Sequence, residues 1–148
     1  EQDKHTRKFF KGVCARNISV RPPLKIKSFP AAYILNTGYL QQGLHWVLVV
    51  FTQKLTIFFD SFGRSPSTLL LESSTRRGNN PILYNSARFQ HSKSEVCGHW
   101  VIYYLYFLLQ NNTISQINTH FSKNTQHNDK IVFNFVKKLG KQWTVPIL

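Results

Sequence analysis

The stretch that most restricts the fold is SEVCGHWVIYYLYFLL, residues 94–109. From Val96 to Leu109 it is apolar nearly all round and offers no polar stripe to solvent. A helix of that kind must be enclosed, so the sequence predicts a central buried helix with other elements packed around it. Its longest apolar run, Trp100 to Leu109, falls well short of the roughly 20 residues that cross a bilayer. Ser94 is suited to the N-cap and Glu95 to the first turn, which would place Cys97 at the third helical position. There the aligned peptide dipoles and free N–H groups favour an anion, so the thiol ionises more easily and becomes a nucleophile. A cysteine can also pack simply as a small hydrophobe, and position alone leaves both readings open.

The elements available to enclose that helix are mostly strands. AAYILNT (31–37) reads as a strand stopped at Asn36-Thr37-Gly38. LHWVLVVF (44–51) and LTIFFDSF (55–62), joined by the short turn TQK, read as a hairpin buried on most of its surface. ILYN (82–85) and the segment to Phe89 form a further strand candidate. Pro66 is placed to open a short helix over 67–72, TRRGNNP is a loop, and RPPLKIKSFP (21–30) is an extended, proline-stiffened connection. Beyond the central helix, residues 113–121 form a short helical candidate, and Asn128 is placed to cap a helix over DKIVFNFVKKL that Gly140 closes. With no internal repeat or linker, 148 residues predict a single α+β domain over 1–148, with a charged, frayed end at 1–12.

Charge and cysteine content narrow the function. Lysine plus arginine number 19 against 6 acids, a formal +13 with a pI near 10.1. Such a field attracts polyanions with a salt-dependent affinity. The basic residues are dispersed over Lys4 to Lys11, Arg21 to Lys27, Arg76-Arg77 and Lys137 to Lys141, and no helix-turn-helix, zinc-finger or RRM signature accompanies them. A solubilising surface and a nucleic-acid contact both remain open. Two cysteines make no disulfide framework and point to a reducing compartment. The absence of CxxC, HExxH and any cysteine–histidine cluster at zinc spacing predicts no metal. The segment EQDKHTRKFFKG lacks the apolar stretch of a secretory signal.

If Cys97 is a nucleophile, it needs a base, a group to orient that base, and donors for an oxyanion. Of the histidines at 5, 45, 91, 99, 120 and 127, His5 lies in the charged end, while His120 and His127 fall in polar loops. His99 would point round the helix from Cys97, and His91 lies on the incoming loop. His45 stands out because it opens an otherwise apolar strand directly before Trp46. Asp60 closes the neighbouring strand, and a hairpin turning near 52–54 brings both to the same open end, within cross-strand reach. A turn-initiating role before Ser61-Phe62-Gly63 is the competing reading for Asp60. Gln90 offers a neutral amide donor that could join the N–H of Cys97, although a surface glutamine is unremarkable by itself.

The order His-Trp on a strand, Asp at the next strand's end, Gln in a loop and Cys-Gly opening an apolar helix resembles the adenovirus endopeptidase (adenain-type) cysteine proteases and their relatives from virus-like DNA transposons. More distantly it resembles the ubiquitin-like-protein proteases. The matching text is GLHWVLVVF, IFFDSFG, and Gln90 through SEVCG into the helix, covering about residues 31–110. Cys97 lies seven positions after Gln90, as in the adenoviral branch. The ubiquitin-like-protein proteases usually have one residue fewer and an aspartate where this chain has Val96. The resemblance implies a papain-like/adenain-like α+β fold, with a mixed β-sheet packed on a buried helix that starts at the nucleophile. It implies Cys97 as nucleophile, His45 as general base, Asp60 as the acid orienting it and Gln90 as an oxyanion donor. It further implies a viral or virus-like-element endopeptidase that cleaves virion precursor proteins at small-residue or glycine-containing sites, in the virion and host nucleus. No cofactor is required for that chemistry; DNA is an expected activator and basic-surface partner, and no membrane is expected. Adenoviral enzymes also use an activating peptide joined through a second cysteine, but Cys14 matches no such position and is given no such role. The alternatives are a ubiquitin/SUMO-like isopeptidase and a basic DNA-binding virion core protein without activity.

Overall fold

The apolar segments pair in chain order. The computed structural model describes residues 10–14, 30–36, 45–66 and 81–140. Among these, β1 (Phe10–Cys14), β2 (Ala31–Asn36), β3 (Trp46–Phe51), β4 (Thr56–Phe59) and β5 (Ile82–Tyr84) form one five-stranded sheet in the order β1-β2-β3-β4-β5. The sheet is mixed: β1–β2 and β4–β5 are parallel, while β2–β3 and β3–β4 are antiparallel. At its centre β3 shows why WVLVVF has no polar alternation. Leu48 and Val50 join Ala32, Ile34 and Phe59 in the core beneath the helices. Val47, Val49 and Phe51 join Ala31, Tyr33 and Phe58 in a second buried cluster on the other face. A strand covered on both faces has no position to give to a polar residue. The hairpin is closed by Thr52, whose N–H and hydroxyl donate to the Leu55 carbonyl at 2.9 and 2.8 Å.

Three helices follow: α1 (Cys97–Leu108), α2 (Ile114–Asn118) and α3 (Thr125–Leu139). Packed against β3 and α3, α1 buries Trp100, Val101, Tyr104 and Leu105 completely, each 0% exposed. The Tyr104 ring stacks on Phe59 of the sheet with centroids 3.5 Å apart. The predicted α+β architecture, a mixed sheet packed on a central helix that begins at Cys97, is the one observed. Among the described residues no helix is long and apolar enough to cross a membrane.

Several local expectations change. The helix starts two residues later than a Ser94 cap would give: Val96 is the N-cap, no side chain caps it, and Cys97 is the first helical residue. Glu95 therefore lies outside the helix, and Ser94 is engaged elsewhere. Asn128 is not the cap of α3. Asn124 caps it, accepting the His127 N–H at 3.1 Å, so His127 lies on a helix and not in a loop. Asn128 is instead fully buried, donating to the carbonyls of Phe89 at 3.2 Å and Ser122 at 2.8 Å, and accepting the Ser122 N–H at 3.0 Å. Two asparagines four apart are equally good caps in sequence, and tertiary partners decided between them. The end expected to fray at 1–12 overlaps β1, and β5 stops at Tyr84 without continuing to Phe89. Gly140 does close α3, and α2 carries a capping box between Thr113 and Gln116. The extended connection over 21–29, the short helix over 67–72 and the loop at 75–80 lie outside the described residues.

Because Leu105 is enclosed by both sheet and helices, Leu105→Ala should lower the unfolding free energy by about 2–5 kcal/mol. The exposed Phe133→Ser should change it by less than about 1 kcal/mol. Denaturant titration of the two variants checks the difference.

Candidate active site

Four segments meet at the N-terminal end of α1. His45 arrives just ahead of β3, Asp60 just after β4, Gln90 on the loop beyond β5, and Cys97 as the first residue of the helix. The structure therefore brings together the four residues singled out from the sequence.

Asp60 is nearly enclosed, with 4% of its side chain exposed, and a carboxylate so placed must have hydrogen-bond donors. Its Oδ1 accepts from His45 Nε2 at 2.8 Å and from the Phe62 N–H at 2.8 Å. The two readings of Asp60, turn initiator and partner of His45, are thus both realised by one oxygen. The turn closes with the Gly63 N–H on the Asp60 carbonyl at 2.8 Å. Gly63 has φ 71°, and a Cβ there would come within 2.7 Å of the Ala87 carbonyl group, so only glycine lets the turn press against 86–87. Asn85, 3% exposed, holds the same corner: its Nδ2 donates to the carbonyls of Asp60 and Ala87 at 2.8 and 3.1 Å, and its Oδ1 accepts the Asp60 N–H at 3.2 Å. Its side chain extends the β4–β5 pairing by one step. Sequence reasoning missed it; the available signal was an asparagine directly ending a strand.

With Nε2 committed to Asp60, Nδ1 is the His45 nitrogen left for the thiol, which hydrogen-bonds the ring. Burial depresses the imidazole's proton affinity, but the hydrogen bonds to Asp60 and Cys97 outweigh it and raise the pKa from 6.5 to about 9. For Cys97, burial pushes the thiol up, and contact with His45 together with the main-chain N–H groups of Trp46 and Gly98 more than reverses it. The sulfur and imidazole therefore favour the thiolate–imidazolium pair. The uncapped helix start fits this assignment, since no side chain competes for the N–H groups that face the sulfur.

Gln90 is fully buried, not a surface residue. Its Oε1 accepts the Ser61 hydroxyl at 2.6 Å, while Nε2 donates to the Ser94 carbonyl at 2.9 Å and the Ser94 hydroxyl at 3.0 Å. A carbonyl can only accept, so the amide is oriented with nitrogen toward Ser94 and the cleft. This contact is what removes Ser94 from helix capping. The loop's backbone is held from both sides: the N–H groups of Phe89 and Gln90 reach the Ser61 carbonyl at 3.0 and 3.1 Å, and Asp129 accepts the His91 N–H at 3.2 Å and Trp100 Nε1–H at 2.9 Å. Ser61, Asn85 and Asp129 are the supporting residues that sequence reasoning did not find.

Although Cys97 is only 7% exposed, it opens on a cleft of about 660 Å³ whose walls include His45, Trp46, Phe62, Gln90 and Gly98. His99, expected to point round the helix, also lines this cleft and packs on Phe133. His120 is far from the role of base: its Nδ1 pairs with the Tyr103 hydroxyl at 2.7 Å. Among the described residues no group of three or more His, Cys, Asp or Glu side chains could hold a metal.

No protein-family profile and no curated sequence matches the chain. Solved structures do. The crystal structure of ASFV pS273R protease aligns with TM-score 0.52 at 23% identity, over 67% of this chain and 39% of that one. Its Se-Met form aligns with TM-score 0.51 at 23% identity, over 66% and 41%. The chain has the adenain-like cysteine-protease fold. It spans about two fifths of the length of the ASFV protease. The SUMO protease Ulp1, in a form with its catalytic cysteine oxidized to a sulfinic acid, is more remote, with TM-score 0.47 at 14% identity over 88% of this chain and 71% of that one.

On this fold the environment of Cys97 makes a direct prediction. The rate of alkylation by iodoacetamide should rise with a pKa below the ordinary thiol value of 9.0. In His45→Ala the burial penalty remains while the main opposing contact is lost, so the midpoint should move upward and the rate at neutral pH should fall about tenfold or more.

Proposed function

We propose that this chain is a cysteine endopeptidase of a virus or virus-like element, working through Cys97, His45 and Asp60 with Gln90 in the oxyanion site. The observation that carries the proposal is a hydrogen-bonded line, Asp60 to His45 to Cys97, ending at a helix N-terminus beside a cleft. The thiolate attacks a peptide carbonyl, and the developing oxyanion takes hydrogen bonds from the Cys97 N–H and from Gln90 Nε2, which gives up its contact with the Ser94 hydroxyl and keeps the one to the Ser94 carbonyl. His45, protonated as the thiolate forms, hands its proton to the leaving amine as the tetrahedral species collapses to a thioester. Water, deprotonated by His45, then releases the acyl group. Asp60 holds the ring in the productive tautomer and stabilises the imidazolium.

Trp46 and Gly98 border the cleft beside Cys97. Gly98 faces Trp46, whose Cδ1 would stand 3.7 Å from a Cβ placed there. That is ordinary van der Waals distance, and the glycine keeps this stretch of wall free of a side chain of its own. On this reading, and following the resemblance to the adenain-type proteases, the substrates are virion precursor proteins with glycine or other small residues at the cut, in the virion and host nucleus. The formal charge of +13 supports DNA as an accessory that gathers enzyme and substrate on one polyanion. The chemistry itself needs no cofactor.

A panel of glycine-containing peptides tests the assignment. Cys97→Ala and His45→Ala should lose cleavage while keeping the fold, Gln90→Ala should lose about 10²–10³ in kcat, and Asp60→Asn should cost less than removing His45. Ser61→Ala, which frees the Gln90 amide, should lower kcat about tenfold with KM nearly unchanged, and should leave iodoacetamide alkylation unaffected. Full turnover by Cys97→Ala or His45→Ala rejects the mechanism. Turnover confined to ubiquitin or SUMO C-terminal reporters would assign the site to an isopeptidase. DNA binding with no reactive Cys97 would make the chain a core protein.

A further inference from the structure

Two arginines stand at one edge of this cleft. The guanidinium carbon of Arg64 lies 5.3 Å from the centre of the Phe62 ring, and that of Arg88 lies 5.6 Å from it. Phe62 in turn stacks on the His45 imidazole, with centroids 5.0 Å apart and planes 26° from parallel. The arginines come from separate segments, one after β4 and one after β5, so their convergence is built by the fold and is not a run of basic sequence. Both are exposed, and Arg64 lines the cleft. Among the described residues the only ion pair is His45 with Asp60, so neither guanidinium meets a carboxylate there.

The ring organises these charges. Cation–π contact with Phe62 favours guanidiniums placed over it and lowers the entropy lost when they bind a ligand. Two like charges gathered beside an imidazole that is itself protonated repel one another, and an incoming anion relieves that repulsion.

The chemistry of the proposed reaction says which part of a substrate arrives there. His45 delivers its proton to the leaving amine, so the segment after the scissile bond must run past the imidazole. Phe62 is the ring stacked on it, and Arg64 lies within about 10 Å of the imidazole centre. An extended peptide advances roughly 3.3–3.6 Å per residue, so the second or third residue after the cut is the one presented to the arginines. We infer that Arg64 and Arg88 form a carboxylate-binding subsite that selects substrates with Asp or Glu on the leaving-group side of the scissile bond, two or three residues beyond it. This rests on the protease reading above and adds a substrate class to it: small residues at the cut followed by an acidic segment. Glu95 also lines the cleft, and a carboxylate repels acid beside itself, so the arginine pair at Phe62 is where an acidic residue would be taken up.

The test uses fluorescein-labelled peptides with glycines flanking the cut and Asp, Ala or Lys at the second and third following positions. Binding is measured on Cys97→Ala and cleavage on the active chain. Asp peptides should bind, and be cleaved by kcat/KM, about tenfold better than Lys peptides at low salt, with a smaller ratio at high salt. The double substitution Arg64→Gln/Arg88→Gln should bring the Asp/Lys ratio to within about twofold. Cleavage with no Asp preference, or a preference that survives the double substitution, overturns the subsite and leaves the protease reading standing. Arginine-dependent binding of Asp peptides without any cleavage by the active chain supports the subsite and rejects the protease reading. Binding that ignores the charge of the peptide overturns the subsite whether or not cleavage is seen.

Discussion

A nearly enclosed carboxylate sets the terms for the rest of this site. A carboxylate at 4% exposure needs hydrogen-bond donors, and the fold supplies Asp60 with one from the Phe62 main chain and one from His45. Everything around it keeps those donors in place. Asn85 grips the Asp60 backbone, Gly63 allows the turn to press on residues 86–87, and Phe62 covers the imidazole. Once His45 is held by Nε2, its other nitrogen can face only in one direction, and α1 brings Cys97 to it. The next residue, Ser61, fixes Gln90 through its hydroxyl and its carbonyl. Two adjacent residues thus position both the base and the oxyanion amide, so a shift of this short turn would disturb both together.

The sequence made the large features of this arrangement legible because they depend on local pattern. An apolar run without a polar face required a buried helix, and β3 and β4 were recognisable from dense β-branched and aromatic residues around a short turn. His45 and Asp60 stood out because polar residues bordered apolar strands, and the hairpin turn alone brought them to the same end. What the sequence did not show depends on long-range partners. Ser94 has the composition of a helix cap, yet the Gln90 amide claims it. Asn128 also looks like a cap, yet it ties α3 to the loop that carries Gln90. Nothing in one dimension marks Asn85, Ser61 or Asp129. Their roles come from partners far along the chain: the Asp60 backbone for Asn85, the Gln90 amide for Ser61, and the His91 N–H and Trp100 indole for Asp129.

The shared fold with the ASFV protease is confined to part of that larger protein, and the match covers 39% of it. In this chain the cleft is bordered by an aromatic ring with two arginines at one edge and by a glycine facing a tryptophan. Under the protease reading proposed above, these borders, and not the sulfur and imidazole, would set the choice of substrate.

The central claim is that Cys97 and His45 share a proton as a thiolate–imidazolium pair. Nitrogen-15 NMR of the His45 ring, followed from pH 6 to 10, reads that state directly. The account predicts a ring protonated on both nitrogens until close to pH 9, and a lower midpoint in Cys97→Ala, where the contribution of the sulfur is gone. A His45 that titrates near its ordinary 6.5, unchanged by the loss of Cys97, would contradict it.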